Sequence, residues 1–225
     1  MTALHDDFAG EAGSINGRIA PTGQRWLDPN DRCYLDGNGR LIANVPDGEA
    51  GHYMYAQIAL DAPVTSMRAD ISWVGTSTEV SQNGAVTLIA GNAPARAGTP
   101  PNQGIFFQNI HAVFGIWATS INMWNGTAPE APDPFFRIYP GGRLEPDGRI
   151  YHIGMAVIGQ LLVIDLPNGE RFYAADSRIP AYSGSNLIYQ CYNTTAVNLR
   201  PRIEEVWAET APVAFGTGVG VELPY

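Results

Sequence analysis

The sequence Tyr151-His152-Ile153-Gly154-Met155-Ala156-Val157-Ile158, Gly159-Gln160, Leu161-Leu162-Val163-Ile164-Asp165-Leu166, Asn168-Gly169, Glu170-Arg171-Phe172-Tyr173 decides the fold. Three extended, mainly apolar runs are separated by two short turn signals. Glycine in the first position of a two-residue loop favours a type II′ turn, and Asn-Gly favours type I′; both suit antiparallel hairpins. The stretch from 150 to 179 therefore predicts a three-stranded β-meander, and a meander of this length is normally part of a larger sheet.

The composition agrees with one large all-β domain. The chain has 225 residues, of which 45% are hydrophobic and 16% are charged. A chain of this length can form one undivided sandwich or barrel, and the apolar share supplies a sizeable core. The 25 glycines and 17 prolines predict many turns.

The charge pattern excludes several classes of function. The formal net charge is −9, and all 13 basic residues are arginine. Nucleic acid is therefore an unfavourable partner, because its binding depends on positive charge that neutralises phosphates. Without lysine the chain has neither the phosphate-binding lysine of a P-loop nor a lysine for Schiff-base chemistry.

The N-terminal segment and the length of the apolar runs predict where the protein is made. Residues Met1 to Asp7 are acidic and contain no apolar signal segment, and no apolar run is long enough to span a bilayer. We therefore expect synthesis in a cytoplasm, without membrane insertion.

Cys33 and Cys191 lack metal-ligand spacing and are expected to be buried free thiols, although a disulfide stays open if the fold brings them together.

The rest of the chain also reads as short strands and uneven loops, without a sustained helical period. Met67, Ala69, Ile71 and Trp73 share one face of a half-buried strand. The predicted strands are a first one from Phe8, a hairpin at 33–43 around Asp36-Gly37-Asn38-Gly39, and strands at 52–60, 67–74, 85–90, 110–117, 120–124, 187–192 and 202–208. Long loops are predicted at 92–103 and 126–148, the second with one short strand inside it, at 135–139. The fold class predicted is an all-β, two-sheet antiparallel β-sandwich of the jelly-roll type, with one domain over residues 1–212 and a glycine-rich C-terminal tail over 213–225.

Several of these segments resemble a known group of proteins. Phe8, Ser14-Ile15-Asn16-Gly17-Arg18, Pro21-Thr22-Gly23-Gln24 and Trp26 resemble the opening of concanavalin A-like jelly-roll domains in tailed-phage structural proteins. The segment Ile110-His111-Ala112-Val113, the meander, Asp176-Ser177-Arg178-Ile179 and Arg202-Ile203-Glu204-Glu205-Val206-Trp207-Ala208 are similar to minor tail proteins of actinobacterial phages. The resemblance extends to about residue 210, and its motifs belong to the scaffold rather than to a reaction.

No catalytic constellation is predicted. Glycoside hydrolases of this fold carry E-x-D-x-x-E on one strand, and the nearest match, Glu145-Pro146-Asp147-Gly148-Arg149-Ile150, lacks the last carboxylate and contains a turn signature. No G-x-S-x-G motif occurs, and the four histidines lack zinc-ligand spacing. The oxygen-rich segments Asp28-Pro29-Asn30-Asp31 and Asp36 to Gly39 leave calcium open, but turn chemistry explains both. We expect no catalytic residue, no metal site and no cofactor.

Aromatic residues are the candidates for ligand binding, because sandwiches of this kind hold sugars against an exposed ring. Trp124, before Asn125-Gly126 at a predicted strand end, is the first candidate, followed by Trp117, Tyr139 and Tyr182. Large aromatics also fill cores and subunit contacts. That role is expected for Trp26, Trp73 and Trp207.

The function expected is that of a non-enzymatic structural protein in the virion of a tailed phage, in the tail or at its tip. Its partners would be other virion proteins, further copies of itself, and a host cell-wall glycan. Two alternatives stay open: a capsid decoration protein with the same fold, and a laminarinase-type glycoside hydrolase. A free-standing lectin is a third hypothesis.

Overall fold

The computed structural model describes residues 2–43, 52–75, 84–101, 103–111, 116–120, 137–139, 142, 144–193 and 199–210. These residues form fifteen strands and one four-residue helix. The elements are β1 (Thr2–Asp6), β2 (Gly13–Ser14), β3 (Cys33–Leu35), β4 (Leu41–Ala43), β5 (His52–Ala59), β6 (Ser66–Gly75), β7 (Gly84–Gly91), β8 (Gly104–His111), β9 (Ile116–Ser120), β10 (Arg137–Tyr139), β11 (Tyr151–Ile158), β12 (Leu161–Asp165), β13 (Arg171–Ala175), α1 (Ile179–Tyr182), β14 (Asn186–Asn193) and β15 (Leu199–Glu209). Within the described ranges no helix has the length and apolar character that crossing a bilayer requires.

The strands form two antiparallel sheets. Sheet A has nine strands in the order β13-β12-β11-β6-β15-β4-β3-β2, and β1 pairs with β15 beside β4. Sheet B has six strands in the order β10-β9-β8-β7-β14-β5. The predicted two-sheet antiparallel sandwich is therefore confirmed.

The meander forms as predicted, with a correction at its second turn. Strands β11, β12 and β13 pair in continuous register. Gly159 has a φ of 59°, as the first position of a type II′ turn requires. Asn168 has no positive φ, so the predicted type I′ turn is wrong; the loop spans three residues, Pro167 to Gly169. Pro167 fixes its own φ near the value for a type I turn, and Gly169, with a φ of 85°, then reverses the chain.

The main core lies between the sheets. Alternate residues of sheet A, including Met67, Ile71 and Trp73, pack with alternate residues of sheet B such as Leu88 and Tyr189. Trp26 and Trp73 are fully buried, which confirms their predicted place in the core. Cys33 and Cys191 are also buried and remain free thiols.

The N-terminal segment is held to the sandwich by a buried carboxylate. Asp6 is completely buried and accepts hydrogen bonds from the indole Nε1 of Trp26 at 2.8 Å and from the backbone N–H of Phe8 at 2.8 Å. The guanidinium of Arg18 donates to the same carboxylate at 3.0 Å. The prediction that a strand begins at Phe8 is wrong, because β1 ends at Asp6 and Phe8 has a left-handed φ of 54° that turns the chain away from the sheet.

Other boundaries shift by a few residues. The predicted strand 110–117 is instead the end of β8, four residues outside the described ranges, and the start of β9. The residues Ile121 to Trp124 and the predicted tail 213–225 lie outside the described residues. The hairpin at 33–43, the absence of a strand over the described residues 92–101 and 103, and the last two strands agree with the predictions.

Candidate functional site

One row of residues crosses the outer face of sheet A, the face turned away from sheet B. Antiparallel register places these residues directly opposite one another on six neighbouring strands: His5, Trp207, Arg68, Gly154, Asp165 and Arg171. Adjacent strands lie about 4.8 Å apart, so the part of the row from Trp207 to Arg171 is roughly 19 Å long. Residues far apart in sequence thus meet on one surface.

A β-bulge decides that Trp207 belongs to this outer face. The pairing of β15 with β6 shifts between Ile203 and Glu205. A regular strand would put Ile203 and Trp207 on the same side, since alternate side chains share a face. The bulge adds one residue, so Ile203 and Val206 are both buried while Trp207 turns outward and is half-buried. Of the two roles expected for Trp207, a place in the core is therefore wrong, while a subunit contact stays a prediction.

Four residues of the row line a groove of about 530 Å³, which we call the Trp207 groove: Trp207, Arg68, Asp165 and Arg171. This volume lies within the range of ligand pockets in proteins. Its lining combines the Trp207 ring with polar and charged side chains from β6, β11, β12, β13 and β15: Ser66, Arg68, Asp70, His152, Asp165, Arg171 and Glu209.

The carboxylates of the groove are engaged with separate partners. Asp165 accepts from Nε of Arg171 at 2.6 Å, and Asp70 lies 2.5 Å from Nδ1 of His152. The hydroxyl of Ser66 donates to Glu209 at 3.2 Å. These contacts fix the acidic side chains in place before any ligand arrives.

The indole of Trp207 is positioned from one side. The imidazole of His5 stacks on it with an interplanar angle of 8° and a centroid separation of 5.6 Å. His5 is held in turn by Glu205, whose carboxylate lies 2.6 Å from Nε2. On its other side Trp207 neighbours Arg68, an exposed residue across the strand pair. The ring is thus oriented by the fold.

An apolar strip lies next to the groove, on the same face of the meander. Its residues follow from the register of β11, β12 and β13 and are half-buried or exposed, with Tyr173 at 62% exposure: Ala156, Ile158, Leu161, Val163, Tyr173 and Ala175. Strand β13 is the edge of sheet A in the described structure. At the meander side of sheet A, a polar groove and an apolar strip therefore lie next to each other on the outer face.

The outer face of sheet B has a different character. A second row crosses four strands and consists of buried, uncharged polar side chains, Tyr55, Gln190, Thr87 and Gln108. Each has at least one buried polar atom without a hydrogen-bond partner. Burial raises the pKa of the Tyr55 hydroxyl well above its ordinary value, so the row carries no charge.

The structure places the four predicted ligand residues in different surroundings. Trp124 lies outside the described residues; Trp117 belongs to β9, opposite Tyr139 in β10, but its side chain is also outside them. Tyr139 is a core residue: it is 6% exposed, contacts the rings of Phe107 and Phe172, and lies 3.2 Å from the Thr119 hydroxyl. Tyr139 was predicted to bind a sugar ring, and this is corrected: its own ring already packs against Phe107 and Phe172 in the core. Tyr182 ends α1 and packs partly buried against the core.

The acidic segments singled out in the sequence serve as turns. Asp147 is exposed and binds Arg149 through two nitrogens, at 2.8 and 3.0 Å. Arg149 holds the pKa of this carboxyl below its ordinary value. The Asp28 carboxylate accepts backbone N–H groups of Asn30, Arg32 and Cys33, which is a turn-closing role. Within the described part of the chain no three His, Cys, Asp or Glu residues are placed to share a metal ion.

Sequence reasoning found part of the groove and missed its assembly. The predicted half-buried strand with Met67, Ala69, Ile71 and Trp73 on its inner face leaves Arg68 and Asp70 on its outer, polar face. Their proximity to Asp165, Arg171 and Trp207 depends on strand order, for which no local signal exists. The one signal at hand was Glu204-Glu205, two acidic residues in succession inside a strand, which is compatible with a bulge.

Comparisons with known proteins place the fold. No protein-family model matches the chain, and no curated protein matches its sequence. Solved structures do match. The exoplasmic/lumenal domain of VIP36 in its Ca²⁺/Man-bound form has a TM-score of 0.60 at 11% identity, covering 92% of both chains. The CBM2 module of the evolved Dit protein of Lactobacillus casei BL23 phage J-1 has a TM-score of 0.59 at 12% identity, covering 96% of this chain and 97% of the module.

The fold is a concanavalin A-like jelly roll. A Bacillus licheniformis β-glucanase shares it, with a TM-score of 0.50 at 7% identity, covering 88% of this chain and 98% of the glucanase. At these identities the likeness concerns the arrangement of strands. Lectin-like domains, a phage module and a glucanase all use this jelly roll, so function must be argued from the site.

Proposed function

We propose that this chain is a non-enzymatic structural protein of a tailed-phage virion, located in the tail or at its tip, and that its jelly roll binds a host-surface glycan. The observation that carries the proposal is the end-to-end likeness to the CBM2 module of the phage J-1 Dit protein. The sequence resemblance to minor tail proteins of actinobacterial phages supports the same context.

The glycan part of the proposal is supported by the Trp207 groove. Sugar sites combine an aromatic surface for the apolar face of the ring with planar polar groups for its hydroxyls. The groove offers both, with Trp207 beside Arg68, Asp70 and Asp165. The Man-bound form of VIP36 is a structural neighbour of the chain, in line with a sugar as ligand.

The pairing of the acidic groups supports a role without catalysis. A retaining glycosidase uses two carboxyl groups about 5–5.5 Å apart, one as nucleophile and one as acid. Here Asp70, Asp165 and Glu209 each hydrogen bond to a different side chain. On the outer face of sheet B, the central described row is built from amides and hydroxyls.

The β-glucanase likeness keeps an enzyme as the alternative. The purified chain should release no reducing ends from mixed β-glucan or arabinogalactan above a heat-denatured sample. Release of reducing ends that disappears in Asp70→Asn, Asp165→Asn or Glu209→Gln would show that the groove is catalytic and overturn the non-enzymatic proposal.

We also propose that glycan binding needs no metal. The carboxylates of Asp28 and Asp36 are occupied by backbone N–H groups, and Asp36 also accepts from Arg40. Binding should therefore be equal in EDTA and in calcium. A loss of binding in EDTA that calcium restores would contradict this.

The virion location is tested on intact particles of a phage that encodes the chain. Antibodies raised against the purified protein should label the tail in immunogold electron microscopy. Label on the head would favour the decoration protein instead, and no label on particles would refute the structural role.

We propose that the chain also self-associates, because an apolar strip at a sheet edge is a surface that neighbours in an assembly cover. Sedimentation of the purified protein as a monomer at all concentrations would count against this.

A further inference from the structure

We infer that the Trp207 groove is the glycan site and that it selects an uncharged sugar, held between Trp207 and Arg68 on one side and Asp165 and Arg171 on the other. The inference rests on the proposed function in one respect, that the ligand is a glycan. It adds where the glycan binds, which residues hold it, and what charge it carries.

The absence of a side chain at position 154 lets Arg68 and Asp165 lie close above this strand. Gly154 stands in the middle of the row, opposite Arg68 on one strand and Asp165 on the other. A Cβ at this position would lie 3.1 Å from Cγ of Arg68 and 3.3 Å from Oδ2 of Asp165. Any larger side chain would push Arg68 and Asp165 out of these positions and so change the shape of the groove that they line.

The charges of the groove nearly cancel. Asp165 and Arg171 neutralise each other, and Asp70 is paired with His152. Among the described residues, the guanidinium of Arg68 has no hydrogen-bond or ion-pair partner. Glu209 accepts a hydrogen bond from the uncharged hydroxyl of Ser66. In all, two arginines, Arg68 and Arg171, and three carboxylates, Asp70, Asp165 and Glu209, line the groove. The whole protein has a formal net charge of −9. A polyanionic glycan is repelled by such a surface, and the excess of acid is too small to select a polycation.

The polar groups fit hydroxyl groups instead. The paired carboxylates keep free lone pairs that accept from sugar hydroxyls, and Arg68 has five N–H donors with no acceptor opposite. Trp207 supplies the aromatic surface of the groove, next to Arg68, for the C–H groups of the sugar ring. Because His5, Glu205 and Asp165 already hold their partners, little side-chain ordering is left for binding to accomplish.

The experiment measures binding of the full chain to mannan, arabinogalactan and laminarin as uncharged probes and to polygalacturonate as an acidic one. Affinity electrophoresis and calorimetry are run at about 50 and 500 mM NaCl, since salt screens charge-driven binding strongly over this range. The variants are Arg68→Ala, Gly154→Val, Trp207→Ala and Trp207→Phe. Arg149→Ala is the matched control, because Arg149 is an exposed, ion-paired arginine outside the groove.

At least one uncharged probe should bind with a Kd that salt leaves unchanged. Arg68→Ala, Gly154→Val and Trp207→Ala should each weaken binding about tenfold or more, as expected for losing a charged hydrogen bond, the placement of Arg68 and Asp165, or the aromatic surface. Trp207→Phe should keep part of the affinity, and Arg149→Ala all of it. Unchanged circular dichroism melting separates these losses from unfolding; if Trp207→Ala melts early, Arg68→Ala and Trp207→Phe decide.

The outcomes separate this inference from the function on which it rests. If an uncharged glycan binds equally well to every variant, the groove assignment fails while glycan binding stands. If polygalacturonate binds best and salt weakens it, the selection of an uncharged sugar fails. If none of the four probes binds, the groove inference is overturned, and a failure to bind whole host cells as well would overturn the glycan part of the proposed function.

Discussion

Removing the Asp6 carboxylate should destabilise the whole sandwich, because this side chain joins β1 to the core. Asp6→Ala leaves the buried indole N–H of Trp26 and the backbone N–H of Phe8 without an acceptor. Each buried, unsatisfied donor costs about 1–3 kcal/mol. The ion pair with Arg18 adds less, since the Arg18 side chain is 21% exposed and partly solvated.

The expected loss is about 4 kcal/mol in the free energy of unfolding, equivalent to a drop of about 10 °C in Tm for a chain of this size. Urea denaturation followed by tryptophan fluorescence measures it as a shift of the midpoint at constant slope. Asp6→Asn keeps one acceptor oxygen and should lose about half as much, so it remains measurable if Asp6→Ala does not fold.

Asp7→Ala is the matched control, because Asp7 is the next residue, is exposed and accepts a single backbone N–H at 3.1 Å. It should change stability by about 0.5 kcal/mol or less. Equal midpoint shifts for Asp6→Ala and Asp7→Ala would refute the idea that the buried hydrogen bonds of Asp6 hold the N-terminal strand in place.

Three further predictions follow from the packing and from buried ionisable groups. Gly184→Ala should destabilise the fold by about 3 kcal/mol, because its Cβ would collide with the backbone at the end of β7, whereas Gly13→Ala, with open space at its Cβ, should be nearly neutral in the same urea assay. Cys33 and Cys191 should resist a thiol reagent at pH 8 until denaturant is added, because burial raises the pKa of both thiols, that of Cys191 to about 12; rapid labelling of the folded protein would contradict this. Burial also raises the pKa of the Asp28 carboxyl and outweighs its three backbone hydrogen bonds, so the native state holds this proton more tightly than the unfolded chain. The contribution of Asp28 to stability should be complete below its ordinary pKa of 3.8 and decrease as pH rises through the raised value; Asp28→Asn should remove that decrease from the pH profile of unfolding, and an unchanged profile would count against it.

Local physics explains what could be predicted from the residues. The meander follows from period-two apolar runs and from glycines at turns, since strand alternation and positive φ act within a few residues. Alternation also placed Trp73 in the core, and the large aromatic ring of Trp26 predicted the same place for that residue. Local reasoning failed at Asn168-Gly169, where the neighbouring Pro167 imposed its own φ on the turn.

The amino-acid sequence by itself determined the all-β class, the meander and the inward face of most strands, because these depend on neighbouring residues. The tertiary structure decided the order of strands and the bulge in β15, and with them the row that brings His5, Arg68, Gly154 and Trp207 together. Alternation states which face a side chain takes, but it carries no information about which strand lies beside it. One extra residue in β15 was enough to turn Trp207 out of the core and into the groove, and long-range pairing buried Tyr139 in the core.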